Sequence, residues 1–181
     1  MLKKITIPII LGAIVLFILP VFYLIDYSQQ ISLTREQIHY DLPYPGILPD
    51  HPLYVFKTAR DKVLEFFTRD NIKKAELYLL LSDKRVEMAS ELAKKGKNQL
   101  AISTFSKAEK YFLKIPPLLI ASKEQGVSPN QDFVDRVKLA NAKHREILNE
   151  LVDELPQGEQ DGLTEIQTLI SKAYDQLNSL H

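Results

Sequence analysis

An uncharged apolar run near the start of the chain restricts its fold more than any other feature. Residues 5–25 (ITIPIILGAIVLFILPVFYLI) contain no charged side chain; Lys3 and Lys4 precede them and Asp26 follows. As a helix rising about 1.5 Å per residue, this run reaches about 30 Å, the thickness of a bilayer's hydrocarbon core. It ends in bulky residues, whereas a cleaved signal peptide ends in a small-x-small site. We therefore predict an uncleaved signal anchor over residues 1–27 that contacts the lipid bilayer, with a cleaved signal peptide as the alternative.

The flanking charges predict the orientation of this anchor. Lys3 and Lys4 place the N-terminus in the cytoplasm by the positive-inside rule, so the residues after Asp26 are expected to be extracytoplasmic on a single-pass membrane protein. The whole chain of 181 residues balances 23 basic against 23 acidic side chains, which predicts no nucleic-acid partner. The absence of cysteine excludes disulfides, zinc–cysteine sites and thiol catalysis.

The two charge signs are unevenly distributed along the chain. Residues 94–123 contain seven lysines and one acid, Glu109, whereas residues 146–171 contain seven acids and no base. The simpler interpretation is a pair of solvated faces that attract each other weakly. The alternative is a surface for a protein partner or for self-association.

From residue 50 onward, apolar residues recur every three to four positions, which is the period of amphipathic helices. No stretch alternates with period two between turn signals, so no sheet is predicted. We predict an all-α fold in which a juxtamembrane stalk and proline-rich clasp (residues 28–49) lead to an antiparallel bundle of about five helices (residues 50–181). A candidate sub-boundary lies near residues 116–128, where two prolines predict a break after the third helix.

The spacing also predicts which face of each helix is buried. In the first helix, which Asp50 is expected to cap from His51 onward, the predicted buried residues are Leu53, Phe56, Ala59, Val63 and Phe67. In the later helices they are Ile72, Ala75, Leu79, Ser82, Val86, Ala89 and Ala93; Ala101, Phe105, Ala108, Phe112 and Ile115; Phe133, Val137, Ala140, His144, Ile147 and Leu151; and Leu163, Ile166, Ile170, Ala173, Leu177 and Leu180.

A proline-rich segment, residues 40–54 (YDLPYPGILPDHPLY), precedes the bundle. Tyr44-Pro45-Gly46 has the pattern of a type II turn, with glycine where a positive φ is needed. We predict a rigid clasp that folds back on the following helix; the alternative is a docking segment held away from the fold. The candidate clasp residues are Pro43, Tyr44, Pro45, Gly46, Pro49, Asp50, Pro52, Leu53 and Tyr54.

This segment and the helices after it resemble a known family. The matching residues are Leu48, Pro49, Pro52, Leu53 and Tyr54, then Lys74, Ala75, Glu76 and Leu77, then Ser82, Lys84 and Arg85. They resemble a bacterial, membrane-anchored, extracytoplasmic helical domain of unknown function, over roughly residues 40–115. The resemblance implies a membrane-tethered, surface-exposed helical domain and assigns no activity to it.

Two groups of polar residues in the helices are candidate sites. Glu76 and Arg85 are expected to form exposed ion pairs with neighbours on their helix, or, if turned inward, a buried polar network. His144 falls on an apolar helix face, where it is either a packing residue with one hydrogen-bonded nitrogen or a pH-sensitive element that charges as the outside acidifies. His39 and His51, near Asp41 and Asp50, have irregular spacing, and we predict no metal site there.

No catalytic motif is present: the chain has no Gly-rich phosphate loop, G-x-S-x-G, H-E-x-x-H or EF-hand loop. We therefore predict no enzyme, no catalytic residue and no cofactor. The residues from Gly96 to Ala108 have tetratricopeptide-like spacing, but one hairpin falls short of the roughly three repeats that an independent solenoid needs. The predicted function is a membrane-tethered binding or scaffolding module. The alternatives are an envelope sensor or accessory subunit that acts through a membrane partner, and a hydrolase of envelope polymers.

Overall fold

A computed structural model describes residues 40–156, 158 and 162–180. The predicted anchor and stalk residues before Tyr40 lie outside the described residues, as does His39. Residues from Tyr40 onward form one compact unit. None of the helices in this part of the chain is both long enough and apolar enough to cross a membrane.

The described part of the chain is all-helical, as predicted, and contains no strand. Its six helices are α1 (Tyr54–Phe67), α2 (Asn71–Lys94), α3 (Asn98–Phe112), α4 (Ile115–Glu124), α5 (Gln131–Glu154) and α6 (Leu163–Asn178). Helix α2 is the central element and packs against α1, α3, α4 and α5. Helix α6 completes the bundle against α3, α4 and α5.

Local capping chemistry sets both ends of α2. At its N-terminus, the Asp70 side chain accepts a hydrogen bond from the Lys73 backbone N–H at 2.8 Å. At its C-terminus, Gly96 adopts a φ of 68° and Lys97 N–H bonds to the Leu92 carbonyl at 2.9 Å. This is the Schellman arrangement, in which a residue with positive φ satisfies the last carbonyls of a helix.

One predicted helix boundary was wrong, and one predicted break is confirmed. Helix α1 begins at Tyr54 instead of His51, because a turn in which His51 N–H bonds to the Leu48 carbonyl occupies the preceding residues, and Asp50 caps nothing. Helix α5 is capped by Asn130, whose side chain accepts a hydrogen bond from the Asp132 backbone N–H at 3.1 Å. The predicted break after the third helix is present: α3 ends at Phe112 and α4 begins at Ile115. The two prolines lie in the first turn of α4, where their missing N–H groups are not needed.

Two apolar clusters form the core. The first contains Ala75, Tyr78, Leu79, Phe112, Ile115, Leu119, Phe133, Val134, Val137, Ala140, Ala173 and Leu177. The second contains Val86, Ala89, Ile102, Phe105, Ala108, Ile147, Leu148, Leu151, Leu155, Leu163, Ile166 and Ile170. The predicted buried faces of α3 and α5 are confirmed in full, and those of α2 and α6 are confirmed except at their ends, where Ile72, Ala93 and Leu180 are half-buried.

The predicted buried face of α1 was wrong. Leu53, Phe56, Ala59, Val63 and Phe67 are all exposed. The opposite face packs inward instead and contributes Asp61, which is 1% exposed. The reason lies in the polar contacts between α1 and the rest of the bundle, which are described below.

Candidate functional site

A layer of buried polar side chains separates the two apolar clusters. Asp83 of α2, Glu109 of α3 and His144 of α5 form its centre, and all three are buried. His144 Nε2 lies 3.0 Å from Asp83 Oδ1, and His144 Nδ1 lies 2.8 Å from Glu109 Oε1. In the second contact the N–H of the His144 ring is not aligned for a hydrogen bond, so the two side chains form an ion pair only. The other carboxylate oxygen, Glu109 Oε2, has no hydrogen-bond partner in the described part of the chain. One imidazole thus bridges carboxylates from two other helices.

Helical periodicity places these side chains in the core. Glu109 lies four residues after Phe105 and three before Phe112, so it shares their inward-facing side of α3. The rings of Phe105 and Phe112 meet the imidazole of His144 edge-on, with centroid separations of 6.5 and 5.1 Å. The aromatic rings on either side shield the layer from water.

The proline-rich segment closes one side of the layer. The Tyr40 hydroxyl donates a hydrogen bond to Asp83 Oδ2, across 43 positions of sequence. Burial, together with the charge of Asp83, raises the pKa of Tyr40 above its ordinary value, so the hydroxyl keeps its proton and acts as a donor. Nearby, buried Asn141 donates to the Ile170 carbonyl at 3.2 Å and ties α5 to α6.

The environment of His144 determines its charge. Burial alone would lower the pKa of His144, but the charge of Glu109 and the contacts with Asp83 and Glu109 outweigh burial and raise the pKa from 6.5 to about 9. The imidazole is therefore already protonated at neutral pH, and acidification does not change its charge. Its charge changes in the alkaline range.

This layer is closed to solvent in the folded state. His144 and Glu109 are 0% exposed, and the cavities of 600 and 180 Å³ among the described residues do not include them in their linings. No group of three or more histidine and carboxylate side chains in the described region is arranged to hold a metal ion. The layer therefore bears on stability and helix register.

A second polar network joins α1 to α2. Arg85, predicted as a candidate, is buried; its guanidinium lies 3.4 Å from Asp61 and donates to the Leu81 carbonyl at 2.8 Å. The guanidinium also stacks over the Tyr111 ring at 4.4 Å. The structure does not bring Glu76 into this network: Glu76 is half-buried and sits nine residues before Arg85, about 13 Å along the helix and on its opposite side.

A third polar contact fixes the C-terminal half of α1. Glu65 accepts a hydrogen bond from the Tyr78 hydroxyl at 2.6 Å and another from Lys114 Nζ at 3.0 Å. Burial and the bond to Glu65 raise the pKa of Tyr78, which therefore stays a donor. Both acids of α1 thus point into the protein, and this orientation turns the apolar face of the helix outward.

The proline-rich segment is held against α1 at its turn. Gly46 has the positive φ predicted for this turn, 70°, and Lys57 Nζ donates to the carbonyls of Pro45 at 2.5 Å and Ile47 at 3.2 Å. Of the candidate clasp residues, Pro45 is buried, Pro43, Pro49 and Tyr54 are half-buried, and Tyr44, Gly46, Asp50, Pro52 and Leu53 are exposed. Leu42 packs against the second apolar cluster. The segment therefore folds with the bundle, although Tyr44 points into solvent.

An open groove of about 600 Å³ lies between this segment and α2. Its lining residues are Tyr44, Pro45, Gly46, Ile47, Leu48, Asp50, His51, Glu87, Glu91 and Lys95. Asp50 accepts a hydrogen bond from Lys97 at 2.8 Å, and this bond holds the pKa of Asp50 below its usual range. A general acid needs the opposite shift, so Asp50 is a structural ion-pair partner.

The most unusual surface of the molecule is the exposed side of α1. Phe56, Phe66 and Phe67 are 73%, 74% and 72% exposed, and Val55 and Val63 are also exposed. Phe66 and Phe67 contact each other edge-on, at 5.4 Å between ring centroids. We call Val55, Phe56, Ala59, Val63, Phe66 and Phe67 the apolar face of α1. Soluble monomers rarely expose contiguous apolar surface of this kind without a binding role.

Reasoning from the sequence missed Asp61, Asp83, Glu109 and the apolar face of α1 as functional features. The sequence does contain a pattern that predicts burial of Glu109: like His144, it is spaced three to four residues from apolar residues of the buried helix face. No local signal existed for the contacts of Asp61 and Asp83, which reach partners 24 to 61 positions away.

Residues 46–158 match the family described as a domain of unknown function, DUF5667. The chain belongs to this family. The DUF5667 match covers more than half of the chain and extends beyond the predicted resemblance to include α5 and His144. It confirms a helical domain of unknown function; the membrane anchor stays a prediction. No curated protein and no solved structure matches the chain.

Proposed function

We propose that this protein is a membrane-tethered, extracytoplasmic binding module whose docking surface is the apolar face of α1. The exposure of three phenylalanines and two valines on one side of a single helix carries this proposal. Covering a side chain of this size contributes about 1.5–3 kcal/mol. A partner that covers the whole face would therefore be bound with substantial affinity after the costs of association are met.

The way in which α1 is attached supports the same function. Polar contacts fix α1 to the bundle: Asp61 pairs with Arg85, Glu65 with Lys114, and Lys57 bonds to the turn of the proline-rich segment. An amphipathic helix ordinarily buries its apolar side and exposes its charges. Helix α1 does the reverse, which leaves its apolar side available to a partner.

Site-directed labelling tests both parts of the proposal. Because the chain has no cysteine, Ala59→Cys in the apolar face and Ala142→Cys on the exposed side of α5 each create one unique thiol at a matched, exposed helical alanine. A membrane-impermeant maleimide is added to intact cells that produce each full-length variant. We expect labelling at position 142, which requires an extracytoplasmic domain, and protection at position 59 that is lost after purification.

Each part of the proposal has its own contradicting result. Labelling of Ala142→Cys only after lysis would contradict the extracytoplasmic location. Equal labelling rates at positions 59 and 142 in cells would show that the apolar face is uncovered there, and would contradict its role as the docking surface.

A further inference from the structure

The apolar face of α1 has a defined width and a defined charge at its border. At 100° per residue, its six members fall within an arc of about 120°. Exposed Lys62 lies directly beside one edge of this arc, and exposed Arg69 follows the end of the helix. Arg60, which pairs with Asp61 at 2.8 Å, lies beside the other edge. The outward side of α1 is therefore apolar with a basic border.

This combination is typical of a helix that lies in the plane of a membrane surface. Such helices bury aromatic and aliphatic residues at the boundary between headgroups and acyl chains, and their lysines and arginines contact anionic headgroups. Helix α1 has 14 residues and is therefore about 21 Å long. Three exposed phenylalanines in that length supply the apolar part of the interaction.

A second copy of this chain is a poorer occupant of the same face. A symmetric contact would bring Lys62 and Arg69 of two copies into one interface. Asp61 and Glu65, the acids of α1, point inward to Arg85 and Lys114 and cannot balance that charge. An anionic lipid surface complements the basic border directly.

The chain's own stalk is also a poor occupant. Residues 28–39 (SQQISLTREQIH) contain only Ile31, Leu33 and Ile38 as large apolar side chains, too few to cover three phenylalanines and two valines. The stalk is long enough to act as a connector, because its 12 residues span up to about 43 Å when extended. That length keeps α1 within reach of a bilayer that holds residues 5–25.

We propose that the apolar face of α1 docks in the plane of an anionic lipid surface, the membrane that also holds the N-terminal anchor. This inference rests on the proposed function and names the partner of its docking surface. The folded domain would then contact the membrane at two places, through the anchor and through α1.

Fluorescence quenching by lipids tests the inference on the full-length chain. Single-cysteine variants Ala13→Cys (predicted span), Ala59→Cys (apolar face) and Ala142→Cys (control) are labelled with bimane and reconstituted in phosphatidylcholine vesicles, with and without phosphatidylglycerol. Brominated lipid chains quench only a fluorophore in contact with the acyl region. We expect quenching at positions 13 and 59 and none at 142, with stronger quenching at 59 when phosphatidylglycerol is present.

Two substitutions test the chemistry of docking. Lys62→Gln in the Ala59→Cys background should weaken docking in anionic vesicles about fivefold, the effect expected for one basic residue near such a surface. Phe66→Ser should weaken docking at least about tenfold in both kinds of vesicle, since it removes a large apolar side chain. Both side chains are exposed, so the fold is expected to persist, with the helical circular dichroism of the parent.

The possible outcomes separate the inference from the proposed function. Quenching at position 13 without quenching at 59 overturns lipid docking and leaves the anchor standing. No quenching at position 13 contradicts the membrane tether itself, and the inference falls with it. Energy transfer between donor- and acceptor-labelled Ala59→Cys copies without lipid quenching overturns the inference in favour of a second copy as occupant.

Discussion

The charge on His144 should make the stability of the domain depend on pH, and Glu109→Gln should remove most of that dependence. Glu109 Oε1 lies 2.8 Å from His144 Nδ1, and the pKa of His144 is raised from 6.5 to about 9. The difference corresponds to about 3 kcal/mol, at 1.36 kcal/mol per pH unit. Since the pKa in the folded state is higher than in the unfolded state, this contribution is complete below pH 6.5 and is lost as pH rises to about 9.

Titration of Lys57 sets the upper limit of the pH range in which the contribution of His144 to stability can be measured. Burial is the main reason that the pKa of Lys57 is lowered from 10.5 to about 8. Its folded state releases the proton before the unfolded state does, so its effect has the opposite sign: stability rises with pH between about 8 and 10.5. Between pH 6.5 and 8 the contribution of His144 dominates, and it amounts to about 2 kcal/mol.

Urea unfolding of a fragment from Thr34 to His181, followed by circular dichroism at pH 6.5 and pH 8, measures this contribution. The parent fragment should lose about 2 kcal/mol of unfolding free energy between the two pH values. Glu109→Gln should lose much less, because the largest contribution that raises the pKa of His144 is gone while burial still lowers it. Glu150→Gln, an exposed acid on α5, is the matched control and should behave as the parent does.

Two results would refute the reasoning. The first is a parent fragment that is equally stable at both pH values, which would mean that His144 has the same pKa folded and unfolded. The second is a Glu109→Gln fragment with the same pH dependence as Glu150→Gln, which would mean that another group titrates. Nuclear magnetic resonance titration of the His144 ring in the parent gives an independent reading of the same pKa.

Three further predictions concern stability, each measured by urea unfolding of the same fragment. Tyr40→Phe should cost about 2 kcal/mol, because it removes a hydrogen bond to a buried carboxylate; an unchanged midpoint would show that this bond contributes nothing. Gly162→Ala should cost at least about 1–2 kcal/mol, because φ is 94° and the new Cβ would lie 2.9 Å from Ile102 Cγ2; Gly158→Ala, which meets no atom within 4 Å, should be neutral. Deleting residues 34–49 should cost several kcal/mol, since it removes side chains that pack on both apolar clusters, and full stability without them would show that the proline-rich segment is not part of the fold.

Most of the fold could be predicted because the signals that define helices are local. Asp70 and Gly96 mark the two ends of α2 through chemistry that acts within a few residues. The three-to-four spacing likewise predicts which residues share a side of a helix, and it located His144 among core residues of α5. Periodicity is reliable here because each of these helices has one apolar side and the bundle covers it.

The face of α1 could not be predicted in this way. Spacing groups Phe56, Val63 and Phe67 on one side but carries no information on whether anything covers that side. The orientation of α1 depends on Asp61 meeting Arg85, a contact between residues 24 positions apart. Removing one partner of a buried ion pair costs about 3–5 kcal/mol, so this contact contributes to the orientation of α1, and the spacing of apolar residues does not reveal it.

The polar layer explains how the bundle selects one register of its helices. If one helix slid along another by a turn, His144 would face apolar residues, and Asp83 and Glu109 would be buried without a counter-charge. The resulting penalty, about 3–5 kcal/mol for a broken buried pair, disfavours every register except the native one. Tyr40 of the proline-rich segment donates a hydrogen bond to Asp83 in the same layer, so this segment also stabilises the native register. Because the layer and the polar contacts of α1 stabilise the domain from inside, the domain folds with the apolar face of α1 exposed, as the proposed docking surface requires.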